Sequence, residues 1–344
     1  MTFFDCEITI SGHFCKIETC RMLKVFPIIF ALALLSRDIS AVGVPDKEFI
    51  STKYLQDLAD NHQFTFDKFQ ENPQATPLEG LSSKVARFSV DGLNQYALIL
   101  QPKKSMPQSG WPVIIFNHGF HPEPFQSGRR NNDGINDRPG DYYRQIPQAF
   151  ARGGFIVITP DYRGHNDSEG GEFTLLYESP RWYARDIIAT TSAIKSLEKA
   201  DVKNVFVVAH SMGAEVSLFA SAVLTKKIKG MSIWSASMPP ITKANNRIFP
   251  FKKDINGKYP KPSTVIYADL VHSPINLHHA TGDPVTKFED SRDLAHQLNS
   301  LGKECYLYSY DSNNHLFKGE NFFTAVERDL EFFQSILKSE NVTK

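Results

Sequence analysis

The chain has 344 residues, 41% of them hydrophobic, which is enough to bury a substantial core. Its 38 basic and 38 acidic side chains balance to a formal net charge of +0, so no cationic excess points to nucleic acid as a partner. A Gly-x-Gly-x-x-Gly fingerprint is absent and no metal, nucleotide or flavin motif stands out, so neither a cofactor nor a metal is expected.

Residues 25–35, VFPIIFALALL, follow Arg21 and Lys24 and lead to the small residues Ser40, Ala41 and Gly43. Basic, then apolar, then small is the order of a secretory signal, and the run is well short of the roughly 20 apolar residues of a spanning helix. Residues 1–43 are therefore read as an N-terminal extension with a signal-like segment at 22–43, translation starting at Met22 and the mature chain near Val42 or Val44. This predicts a secreted or periplasmic protein with no stable membrane span; a buried apolar helix or an uncleaved anchor is the alternative. Cys6, Cys15 and Cys20 precede Met22, which leaves Cys305 without an internal partner. In the alternating segment ECYLYSYD it reads as a small buried hydrophobe.

Residues 44–84 read as an irregular, partly helical extension of the main domain, which spans 85–344. SKVARFSV and YALILQP, on either side of Asp91-Gly92, predict an antiparallel pair. From Trp111 the pattern changes to WPVIIFNHG, FIVITPDYRG, VFVVAHS, GMSIWSAS, INLHHATGD and CYLYSYD, with amphipathic segments such as QIPQAFARG, RWYARDIIATTSAIKSLEK and SRDLAHQLNSLGK between most of them. Strands alternating with helices predict an α/β fold: a mostly parallel central sheet with helices on both faces and ligands beyond the carboxyl ends of the strands. Two long polar or proline-rich connections, after residues 119 and 237, read as loop insertions covering the site. Phe120, Tyr142, Tyr143, Trp182 and Trp234 suit a pocket lining and a core equally well.

In VFVVAHSMGAEVSLFASAVL, residues 205–224, a continuous apolar run meets Ser211 and then a helical pattern of Val216, Phe219, Ala220 and Val223, closed by Lys226 and Lys227. Strand, sharp turn and helix with a central serine form a nucleophile elbow; Ala209 stands at the first glycine position of G-x-S-x-G and Gly213 at the second. A serine hydroxyl needs an imidazole to take its proton and a carboxylate to orient that imidazole. In this arrangement the order along the chain is serine, acid, histidine, and Ser211, Asp283 and His315 follow it, each at the end of a predicted strand. Asp311 competes with Asp283 as the acid, and reads better as a surface turn residue. His278 and His279 point to opposite faces of one strand, which argues against a metal pair and for at least one packed core histidine. His296 lies in a helix, and His118 reads as a loop brace. The His118-Gly119 turn in FNHGF brings a peptide N–H near Phe120 toward the serine; with the N–H of Met212 it would form the oxyanion hole.

FNHGF, TPDYRGHNDSEG, VVAHSMG, HATGDPVTKFEDSRDLAHQL and NNHLF together resemble the α/β-hydrolase superfamily, in particular the prolyl oligopeptidase catalytic domain and the dienelactone hydrolase-like esterases. The resemblance runs from about residue 85 to 335 and implies an α/β-hydrolase fold with Ser211 as nucleophile, Asp283 as acid, His315 as base, and Phe120 and Met212 as oxyanion donors. The stretch between the signal-like segment and the core is too short for a β-propeller, and FNHGF lacks the double glycine of the peptidase branch. The function expected is that of a secreted serine hydrolase forming an acyl-enzyme on small carboxylic esters. A prolyl oligopeptidase-like peptidase acting on short peptides, and a hydrolase-fold binding protein without catalysis, are the alternatives.

Overall fold

The computed structural model describes residues 9–11, 14–16, 52–72, 78–120, 138–174, 179–225, 227–238 and 271–342. The signal-like segment 22–43 and most of the two long connections, 121–137 and 239–270, lie outside the described residues. The chain divides into two units, Met1–Val44 and Pro45–Lys344. In the first, β1 (Thr9–Ser11) and β2 (Phe14–Lys16) pair antiparallel.

The second unit contains α1 (Thr52–Asn61), β3 (Asp67–Glu71), β4 (Leu81–Val90), β5 (Leu93–Pro102), β6 (Trp111–Asn117), α2 (Pro139–Tyr142), α3 (Gln145–Arg152), β7 (Ile156–Asp161), α4 (Ser179–Ala193), β8 (Ala200–His210), α5 (Met212–Ser221), β9 (Ile228–Trp234), β10 (Ile275–Ala280) and β11 (Cys305–Tyr310). A helix Phe288–Ser300 joins β10 to β11, and a C-terminal helix Gly319–Val342 follows. Nine strands form one sheet in the order β11-β10-β9-β8-β6-β7-β5-β4-β3. The pairs from β11 to β7 are parallel, and β5, β4 and β3 add an antiparallel edge. Asp91 and Gly92, with φ of 58° and 78°, make the β4–β5 turn, where the backbone twist of two positive-φ residues suits a tight hairpin.

Strands β7 and β10 are buried at every position, as are residues 205–210 of β8, which is why Val205–Ala209 runs apolar without alternation, whereas the buried polar residues of β10 find hydrogen-bond partners: Asn276 and His278 in Asp329, His279 in Ser291. On β6, Ile114 and Phe116 join a core with Ile146 and Phe150 of α3 and Phe322 and Phe333 of the C-terminal helix. α4 packs on α1 and α5. The chain leaves β6 for β7 on one side and then crosses back to β8 on the other, so the sheet reverses its winding at β6. Crevices open at the carboxyl ends of strands at such a reversal.

Three features depart from the sequence-based expectations. β3 is an additional edge strand, exposed throughout; with no apolar alternation to announce it, it is held by backbone pairing to β4 and by Arg87 donating to Asp67 at 2.8 Å. α5 stops at Ser221, before Lys227, whose ammonium reaches the carbonyl of Ala59 at 3.2 Å and so serves a tertiary contact instead of the helix end. α4 ends at Ala193, where Ile194–Ser196 tighten into a 3₁₀ turn that leads into β8: Trp111 N–H bonds the carbonyl of Lys199 at 2.8 Å, and Trp111 pairs with Ala200.

Candidate active site

β8 delivers Ser211 to the carboxyl edge of the sheet with φ 55° and ψ −121°. A side-chain-bearing residue held there costs about 1–3 kcal/mol of backbone strain, so the surroundings must enforce it. Ser211 N–H bonds the carbonyl of Trp234 at 3.0 Å, and the Ser211 carbonyl accepts the N–H of Ala214 at 2.9 Å and of Ser237 at 3.2 Å. The first turn of α5 lies directly on the end of β6: a Cβ added to Gly213 would sit 2.0 Å from the carbonyl oxygen of Asn117. Glycine is thus required at this position, whereas the fully buried Ala209 keeps its methyl.

His315 lies just after β11 and meets the serine, with Nε2 2.9 Å from Ser211 Oγ. Its Nδ1 is 2.8 Å from Asp283 Oδ2. The loop carrying His315 is tied to the elbow by His210, whose Nε2–H donates to the His315 carbonyl at 3.0 Å. Ser211 is buried, the His315 side chain is 20% exposed and the Asp283 side chain is closed off from solvent. The Asp283 carboxylate accepts N–H bonds from Val285 at 2.8 Å and Thr286 at 3.1 Å, and the Thr286 hydroxyl donates to it at 3.0 Å. Burial works against its charge, but the His315 bond and the two backbone N–H groups outweigh burial and hold its carboxyl down at about 2. Asp311, the rival acid, is exposed.

Met212 opens α5, where first-turn N–H groups have no intrahelical acceptor and the helix dipole favours negative charge. Gly119 lies against Ser211: an added Cβ would be 3.0 Å from Ser211 Cβ and 2.9 Å from the Tyr143 hydroxyl. The next residue, Phe120, exposes its ring, and its carbonyl accepts the Tyr143 hydroxyl proton at 2.9 Å. Tyr143 is buried, which pushes its phenol up and keeps it a neutral donor. His118 is buried and stacked on Tyr162 at 4.0 Å, a brace for this turn. Tyr142 is exposed, whereas Trp182 and Trp234 are core residues.

The remaining polar motifs are structural. Arg163 of DYRG donates to Asp186 at 2.7 Å and to Asp91 at 2.9 Å, with its guanidinium over Phe173 and Trp182. Asp161 pairs with Arg138. His296 is exposed on its helix. Cys305 is buried, and burial pushes its thiol up to about 12. Among the described residues no cluster of side chains suited to a metal ion occurs, and no helix is long and apolar enough to cross a membrane. The sequence does not single out Thr286 or His210 as parts of the site, and it offers Tyr143 for a pocket lining or the core without a hydrogen-bonding role. His210 and Thr286 sit inside the AHSMG and GDPVT motifs, and Asp-x-x-Thr is the local signal for a hydroxyl returning to its own turn carboxylate.

Residues 112–265 match the family described as alpha/beta hydrolase fold. "Lysophosphatidylserine lipase ABHD12" of Danio rerio is 29% identical over 199 residues, covering 57% of this chain and 43% of that protein. The chain therefore matches less than half the length of that curated relative. Acetyl xylan esterase from Paenibacillus sp. R4 superposes with a TM-score of 0.56 at 15% identity, covering 82% of this chain and 92% of the esterase. Dipeptidyl peptidase 4 of Porphyromonas gingivalis does so with a TM-score of 0.53 at 15% identity, over 77% of this chain and 36% of the peptidase. At these identities the superpositions speak for the fold alone. With the sheet order, the elbow and the family match over residues 112–265, they show an α/β-hydrolase fold.

Proposed function

We propose that this protein is a serine hydrolase that cleaves carboxylic esters through an acyl-enzyme. The observation that carries the reading is the continuous run Ser211–His315–Asp283, joined at 2.9 and 2.8 Å around a serine held at positive φ. Neutral His315 accepts the Ser211 proton at Nε2 as Oγ adds to the ester carbonyl carbon. The negative oxygen of the tetrahedral intermediate faces the N–H of Met212 and a peptide N–H at Phe120, whose segment is anchored by the Tyr143 hydroxyl. His315 then gives the proton to the departing alkoxide, and the same steps with water release the acid. Asp283 stays ionised throughout, steadying the imidazolium without taking its proton.

The ester preference draws support from the lipase among the similar proteins. Labelling with a fluorophosphonate probe tests the nucleophile, and a screen of p-nitrophenyl esters against Xaa-Pro anilides tests the substrate class. Labelling of the wild type that Ser211→Ala abolishes, with ester turnover, is expected. Turnover of the anilides alone would make the protein a peptidase, and no labelling of folded wild type would make it a binding protein. The signal-like segment 22–43 supports export. N-terminal sequencing of the native protein should find a start near Val42 or Val44, and a retained segment would overturn that part.

A further inference from the structure

The mechanism above leaves one buried imidazole beside the acid without a task. His278 and His279 are adjacent on β10 and both are fully buried, and strand alternation sends them to opposite faces. His278 turns into the core, with Nε2 2.9 Å from Asp329 Oδ1. His279 turns toward the site: its Nε2 lies 3.5 Å from Asp283 Oδ2, 3.3 Å from the Thr286 carbonyl and 3.3 Å from the Thr286 hydroxyl. Its Nδ1 is 2.7 Å from Ser291 Oγ, on the helix Phe288–Ser300, and the Phe288 ring closes its edge.

The neighbours assign the proton. A carbonyl and a carboxylate only accept, so Nε2 carries the hydrogen and Nδ1 accepts from Ser291. The single Thr286 hydroxyl proton then goes to Asp283 Oδ2, its nearest acceptor at 3.0 Å. Burial disfavours the protonated ring, so His279 is a neutral donor. Oδ2 is thereby flanked by two imidazole N–H groups, one catalytic and one fixed in the core.

We propose that His279 is a positioning residue for the acid: its Nε2–H, locked by Ser291, holds the Asp283–Thr286 turn so that Oδ2 stays aimed at His315 Nδ1. No proton passes through it. The proposal rests on the serine hydrolase reading for its kinetic part, while the bond it protects can be observed without turnover.

The test compares His279→Leu, His279→Gln and Ser291→Ala with wild type. It reads kcat and KM on p-nitrophenyl acetate and the low-field proton resonance of the His315–Asp283 bond. For His279→Leu we expect kcat to fall about 10- to 100-fold, the scale of a slightly misplaced catalytic group, with KM unchanged and the resonance shifted or lost. The Gln variant, which keeps an N–H donor, should recover most of both. Ser291→Ala should lower kcat about threefold through loss of the tautomer lock, with a smaller shift of the resonance. Unchanged kcat and resonance in folded His279→Leu would overturn the proposal, as would equal loss in Leu and Gln with the resonance intact. If His279→Leu does not fold, an unmoved resonance in Ser291→Ala overturns it. Wild type without turnover but with the resonance sensitive to His279 would defeat the hydrolase reading and leave the positioning role standing.

Discussion

Asp283 bonds His315 at 2.8 Å, and Asp329 bonds His278 at 2.9 Å; the two pairs sit on the same half of one sheet. Beyond His315, the second nitrogen meets the Ser211 hydroxyl and the ring is partly open. Beyond His278, the second nitrogen meets the Tyr310 hydroxyl at 2.7 Å, and both partners are sealed from solvent. Asp329 also takes bonds from Ser232 at 2.6 Å, Trp234 Nε1 at 2.8 Å and Asn276 at 3.0 Å. A carboxylate and an imidazole at hydrogen-bond distance are thus equally suited to chemistry and to cross-bracing. The group on the far nitrogen, and access to it, decide between the two. Trp234 couples the pairs: its indole binds Asp329 and stacks on Phe317, two residues past His315, and its carbonyl receives the N–H of Ser211.

The contrast is open to direct attack. The largest effect is expected from Ser211→Ala, which should lower kcat on p-nitrophenyl esters by a factor on the order of 10⁶ while leaving the urea midpoint near wild type, since it deletes one oxygen and no core volume. Asp283→Asn should cost about 10⁴ in kcat, because the amide no longer enforces the imidazole tautomer that His315 needs. Asp329→Asn should do the reverse. It leaves donors facing a partly donating amide in a closed core, so stability should fall by about 3 kcal/mol in urea titration while kcat per folded molecule stays within about twofold. A loss of kcat in Asp329→Asn as large as in Asp283→Asn would erase the distinction between the pairs.

A pH series separates the elements that hold the open pair. Burial first, and His315 second, hold the His210 imidazole down at about 4 against an ordinary 6.5. The unfolded chain therefore binds this proton before the folded one. Its contribution is complete above pH 6.5, declines as pH falls and is gone below about 4, a total of about 3 kcal/mol. His279, also lowered, acts in the same direction. Asp283, held at about 2 against 3.8, loses its own contribution only below that window. The urea midpoint of the wild type should thus drop between pH 7 and 4.5 more steeply than that of His210→Gln, which keeps a donor for the His315 carbonyl. Equal slopes would remove His210 from the account. Asp311→Asn, on an exposed turn, should be the mildest change, with kcat within about twofold.

Much of this was legible along the chain. Continuous apolar runs mark strands covered on both faces, Ser211 between strand and helix marks a sharp turn, and Gly213 marks a point where backbones touch; each is a local consequence of burial period or steric crowding. The order of Ser211, Asp283 and His315 also follows from which strands end in polar groups. Local patterns do not say which side chains from different strands meet. That Asp283 and not Asp311 meets His315 follows from where the β10 and β11 loops converge, and that His279 and not His278 lies beside Asp283 from which face of β10 turns to the helix Phe288–Ser300 and which to Asp329. The exposed edge strand β3 and the Tyr143 hydroxyl on Phe120 belong to the same class. Periodicity encodes how much of each residue is buried, and the partner it is buried against exists only once distant segments have packed.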